Sequence, residues 1–129
     1  MTATKQAGKA ARGFRIKRVY EPPARGDGLR VLVDRLWPRG LTKEKAQVDV
    51  WLKEIAPSDA LRRLFHRDPT KWSEFVRAYD RELAQEPAKA AMADLRERAR
   101  SRPVTLLYAA RDEDHNNAVA LMDFLERIK

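Results

Sequence analysis

Two nearly continuous apolar runs, Arg30 to Leu36 and Pro103-Val-Thr-Leu-Leu-Tyr-Ala-Ala110, flank a long stretch of helical periodicity, and this leaves few folds open. A run that is apolar at almost every position, rather than at alternate ones, suits a strand buried on both faces. Two such strands separated by helices imply a parallel α/β arrangement with a right-handed crossover. The expected fold is therefore a small, mostly parallel sheet of three or four strands flanked by helices, a single α/β domain over residues 14–129. Phe14-Arg-Ile-Lys-Arg-Val-Tyr20 alternates apolar and basic residues and reads as a further, half-exposed strand. Its connection, residues 21–29, is shorter than the usual parallel crossover, so an antiparallel edge stays open for it.

The middle of the chain reads as successive helices. Val48, Trp51, Leu52 and Ile55 fall at helical spacing, and Pro57 ends that segment. Ser58 is a suitable N-cap for a helix carrying Leu61, Leu64 and Phe65. Asp68-Pro69 opens the next, with Trp72, Phe75, Val76, Tyr79 and Leu83 on its apolar face. Pro87 opens another, containing Ala91, Met92, Leu95 and Ala99. A closing helix buries Ala118, Val119, Met122 and Leu125, with Asp112 or Asp114 as the expected cap.

The strand ends are where chemistry is expected. Ligands of open parallel sheets bind beyond the carboxyl ends of the strands. The second strand exits at Asp34-Arg35 and breaks at Trp37-Pro38-Arg39-Gly40; the third exits at Tyr108-Ala-Ala-Arg111. If these strands are parallel, Asp34, Arg35, Arg39, Arg111 and His115 gather on one rim, facing the start of the last helix. Guanidinium groups and a helix N-terminus are what a phosphate, nucleotide or carboxylate needs. On this reading Asp34 or His115 is the candidate acid/base, and Arg35, Arg39, Tyr108, Arg111, Asn116 and Asn117 are candidate ligand contacts. Each has a plainer role open to it. Asp34 and Arg35 can pair across the strand ends, His115 can be a surface or cap residue, and Trp37 can plug a core. Capping accounts for one of two consecutive asparagines more easily than for both.

Other chemistries find little support. With no cysteine there is no disulfide, thiolate metal site or cysteine nucleophile, and a reducing cytoplasm is the natural expectation. His66 and His115, the only histidines, lie in no ligand-spaced cluster, so no metal is expected, and no cofactor is implied. No glycine-rich phosphate loop occurs, and no serine sits on a nucleophile elbow. No apolar run is long enough to span a bilayer, and the N-terminus lacks the apolar region of a secretory signal.

The net charge of +8 raises the question of nucleic acid. Residues 1–25 carry seven basic side chains against Glu21, whereas the remaining residues carry 20 basic and 18 acidic ones. The basicity is thus mostly that of the expected disordered arm, residues 1–13, and of Arg15, Lys17 and Arg18 on the first strand. Such an arm can add weak, non-specific phosphate affinity, and a nucleic-acid-associated or regulatory module is the alternative to the small-anion site. A third reading makes the arginines ordinary salt-bridge partners. Oligomeric state is not indicated.

Four segments carry a family resemblance: Lys17-Arg18-Val19-Tyr20-Glu21-Pro22, Val31 to Gly40, Trp51-Leu-Lys-Glu-Ile-Ala-Pro-Ser58, and Leu106-Leu-Tyr-Ala-Ala-Arg-Asp-Glu-Asp-His-Asn-Asn117. Over roughly residues 14–128 the chain resembles the short, YeaO-like branch of domain-of-unknown-function family 488. Longer relatives place an Asp-x-Arg at an equivalent strand end and a Cys-His-Arg turn near the final helix. Asp34-Arg35 resembles the first without the intervening residue. His115-Asn116-Asn117 resembles the second without its cysteine or arginine, so thiol chemistry does not carry over. Members of this branch are sometimes labelled MarR-type regulators, but the order of elements here is not that of a winged helix-turn-helix.

Overall fold

In the computed structural model, which describes residues 13–128, four strands run parallel in the order β1-β4-β2-β3. They are β1 (Phe14–Arg18), β2 (Leu29–Leu32), β3 (Val50–Trp51) and β4 (Val104–Tyr108). The two apolar runs form the sheet centre: every residue of β2 and β4 is buried. Register aligns Ile16, Leu106 and Val31 on one face and Lys17, Leu107 and Leu32 on the other. Except for Gly13, the expected basic arm lies outside the described residues.

The faces are covered differently. Four helices, α2 (Asp59–Arg67), α3 (Trp72–Leu83), α4 (Ala88–Ala99) and α5 (Asn117–Arg127), contribute to the main core on the Ile16–Leu106–Val31 face. Loops and the short α1 (Lys43–Ala46) cover the other, where Val19, Leu32, Ala46 and Leu107 pack with Trp37, Leu41, Val48 and Trp51. Ser58 caps α2 as expected, its hydroxyl accepting the Leu61 N–H at 3.2 Å. Among the described residues no helix is long and apolar enough to cross a membrane.

The first strand is parallel, which settles the direction left open by its short connection. That connection skips β4 with only a 3-10 turn, Arg25–Asp27, and a buried carboxylate secures it. Asp27 meets the Lys17 ammonium at 3.1 Å and the Arg30 guanidinium at 2.5 Å, and its carbonyl accepts the Thr105 hydroxyl at 2.7 Å. Gly28 then turns into β2 at φ 63°, where a Cβ would lie 2.1 Å from the Pro103 carbonyl oxygen, so only glycine lets the backbones approach.

Two local expectations are corrected. The run from Arg30 does not stay extended to Leu36, because β2 ends at Leu32 and a bend begins at Asp34. The segment Val48 to Ile55 is not a helix but β3 followed by a 3-10 turn, Lys53–Ile55. The open edge of β2 wins over the helical spacing: Asp49 N–H donates to Arg30 O at 2.8 Å and Leu52 N–H to Leu32 O at 3.0 Å.

Candidate functional site

Parallel β2 and β4 bring Asp34 and the Tyr108–Asn117 segment to the same carboxyl-end rim, as the sequence suggests. Asp34 ties its three walls together. One carboxylate oxygen accepts the Ala109 N–H at 2.9 Å, beyond β4, and the other accepts the Asn117 amide at 2.9 Å, in the first turn of α5. The same Asn117 amide donates to Val33 O at 3.0 Å, and the Trp51 indole donates to Asp34 O at 2.7 Å. Burial raises the Asp34 carboxyl above the usual range, outweighing the Asn117 and Ala109 donors and the Arg62 charge.

The two asparagines have separate jobs. Asn116 is the N-cap of α5, correcting the expectation of Asp112 or Asp114: its side-chain oxygen accepts the Val119 N–H at 3.0 Å, and its amide donates to Asp112 O at 2.9 Å. Asp112 instead shapes the preceding turn, accepting the Asp114 and His115 N–H groups at 2.9 and 3.0 Å. The Asp114 N–H chiefly, together with His115, holds the Asp112 carboxyl below its ordinary value despite some desolvation.

His115 lies 3.3 Å from an Asp112 oxygen, with its ring edge against Trp72 at a centroid distance of 5.1 Å. Trp72 also borders a groove of about 470 Å³ between α3 and α5, lined by Val76, Arg77, Val119 and Asp123 among others. The structure therefore seats the two acid/base candidates in different surroundings: Asp34 inside the brace, His115 beside α3.

The arginines also divide. Arg35 donates to the Pro57 and Ala56 carbonyls at 3.1 and 3.3 Å and lies 3.9 Å from Asp59, so its guanidinium anchors the approach to α2. Arg39 and Arg111 are exposed, and among the described residues their guanidinium groups have no hydrogen-bond or ion-pair partner. Tyr108 is fully buried, with the Asn116 side chain beside its hydroxyl. Burial first, then the Glu113 and Glu21 carboxylates, push its pKa up to about 12 against the opposing influence of Arg18 and Asn116.

Three rim residues were not singled out as candidate site residues. Arg18 donates to the Ala110 and Ala109 carbonyls at 2.9 and 3.1 Å and lies over the Tyr20 ring at 4.8 Å. Tyr20 donates to Arg39 O at 2.8 Å. Among the described residues, Tyr20 and Leu36 are the two exposed large hydrophobics, at 38% and 61% exposure. The available signal was an apolar residue placed directly after the Asp34-Arg35 exit. Of the first-strand bases, Lys17 and Arg18 are thus engaged internally, and Arg15 is exposed. No cluster of three or more metal-ligating side chains occurs among the described residues.

Fold and rim together define a four-stranded parallel α/β protein whose strand-end crevice is closed by a carboxylate–asparagine brace. Residues 13–128 match the family described as the inactive DUF488-N3 subclade, and the chain belongs to this DUF488 family, as its motifs implied. It is 44% identical over 116 residues to the uncharacterized protein YeaO of Escherichia coli (strain K12), covering 89% of this chain and 98% of that one. It is 40% identical over 111 residues to the uncharacterized protein Rv3073c of Mycobacterium tuberculosis (strain ATCC 25618 / H37Rv), covering 86% and 92% respectively. No solved structure matches the chain.

Proposed function

We propose that this protein binds, without transforming, a small organic anion (a phosphate ester, nucleotide or carboxylate) at the carboxyl ends of its strands. One observation carries the reading: the acid of the rim is consumed in structure while its outer arginines are not. Both Asp34 oxygens hold donors that position β4 and α5, so this carboxyl is built into the brace. Arg39 and Arg111 remain open to solvent, and Tyr20, exposed and bonded to the Arg39 carbonyl, offers a ring to cover an apolar or ring portion of a ligand. The family's description as inactive agrees with a binding role.

Thermal unfolding with inorganic phosphate or adenosine monophosphate at low ionic strength tests this. A ligand at a hundredfold excess over Kd stabilises the native state by about 2.7 kcal/mol, a rise of several degrees in Tm. The Arg39→Ala, Arg111→Ala double variant is expected to lose most of that rise while keeping its own Tm, because neither guanidinium supports the fold. An equal rise in wild type and double variant, or none with either anion, rejects the rim as the site.

A further inference from the structure

Helices α3 and α5 lie side by side and run the same way. Trp72 meets His115, just before α5, at their starts, and Arg127 donates to both Asp80 oxygens at 3.0 Å near their ends. The groove of about 470 Å³ between them has an apolar floor of half-buried Trp72, Val76 and Val119. Its two walls carry opposite charge. On α3, Arg77 and Arg81 are exposed one turn apart; on α5, Asp123 and Glu126 are exposed at the corresponding level. Among the described residues Arg77, Arg81 and Glu126 have no hydrogen-bond or ion-pair partner. Arg127 takes one Asp123 oxygen at 3.1 Å and leaves the other unbonded there.

We propose that this face is the contact of a homodimer, a second copy of the chain being seated on the α3–α5 groove about a two-fold axis that runs along it. Such an axis lays each α3 over the partner's α5 without changing level. Arg77 of one protomer then meets the partner's Asp123, Arg81 approaches the partner's Glu126, and the reciprocal contacts form at once. The two floors close into one apolar centre ringed by ion pairs, the arrangement of a stable protein interface. The charges single out a second copy as the occupant. A uniformly basic or acidic partner meets a repelling wall on one side of the groove. A surface that carries the same two rows in reverse order meets none, and the rotated chain is such a surface. None of the rim arginines lies on α3 or α5, so the dimer is independent of anion binding at the strand ends.

Sedimentation of the full chain from about 1 to about 200 µM at low salt tests this. Wild type should pass from monomer to dimer within that range, and less readily as salt is added. Arg77→Asp alone and Asp123→Arg alone should each weaken the dimer about a hundredfold or more, because each reversal sets two like-charge contacts across the axis. Both positions are exposed, so circular dichroism of each variant should match that of wild type. An equimolar mixture of the two single variants should dimerise again, since each supplies at both contacts the charge that the other needs. The Arg77→Asp, Asp123→Arg double variant should dimerise for the same reason. A wild type that stays monomeric throughout the range, leaving the groove to a different occupant, overturns the proposal. So does a dimer that either single reversal leaves intact, or a mixture of the two folded single variants that stays monomeric.

Discussion

Asp27→Ala is expected to destabilise the protein by about 3–5 kcal/mol, the effect of removing one partner from a buried charge cluster. The Asp27 and Arg30 side chains are only 4% and 5% exposed, and Lys17 only 12%. Arg30 spends its other donors on the Gln47 and Ala46 carbonyls at 3.0 and 2.8 Å, so it cannot turn outward to water. Without Asp27, two cations remain under the loop that carries the chain over β4, and the Ala24 N–H loses its acceptor. Burial pushes the Asp27 carboxyl up, but the Ala24 N–H, Lys17 and Arg30 together hold it below its ordinary value of 3.8. A lowered folded pKa means that the unfolded chain takes up the proton first. The stabilisation is therefore present above the unfolded value and lost as pH falls through the folded one. Urea unfolding should show a lower midpoint with unchanged slope, and Asp27→Ala should remove part of the wild-type loss of stability in acid. A midpoint change worth less than about 1 kcal/mol would mean that Arg30 and Lys17 find other partners.

The parts of this fold legible in the sequence are those fixed by local chemistry. The β2 and β4 runs announce themselves because burial on both faces leaves no room for alternation. The α2 cap at Ser58 and the Trp72-to-Leu83 stripe of α3 are short-range patterns of the same kind. What tertiary contacts decide was not legible. Two residues of β3 pair only because β2 presents a free edge, and their apolar spacing fits a helix equally well. The direction of β1 depends on a salt cluster joining Lys17, Asp27 and Arg30, which no length rule anticipates. At the site, the convergence of Asp34 with Asn117 follows from parallel strands, so the rim was readable. The division of its arginines was not: Arg35 and Arg18 are held by main-chain carbonyls, and a carbonyl leaves no mark in sequence. The adjacent asparagines, excessive as two caps, are explained by one capping α5 and the other bracing it.

That brace makes Asp34→Ala the second large effect, a loss of about 2–4 kcal/mol as the Ala109 N–H and the Asn117 amide lose their acceptor in a mostly buried place. Asp34→Asn should recover little, since its NH2 group must face one of the two donors. The pH dependence has the opposite sign to that of Asp27. Burial, ahead of the opposing donors, raises the folded pKa of Asp34 above the unfolded 3.8, so the native state binds this proton more readily. The stability tied to Asp34 is then full below the unfolded value and declines as pH rises through the folded one. The stability gap between wild type and Asp34→Ala should accordingly narrow from about pH 4 towards neutrality, where folding stability is measured by urea unfolding at each pH. A gap that widens over this range would show the two hydrogen bonds, rather than burial, governing the carboxylate. Either sign leaves the mechanical consequence intact: without Asp34 the first turn of α5 is no longer tied to β2 and β4, and phosphate binding at the rim should fall together with stability.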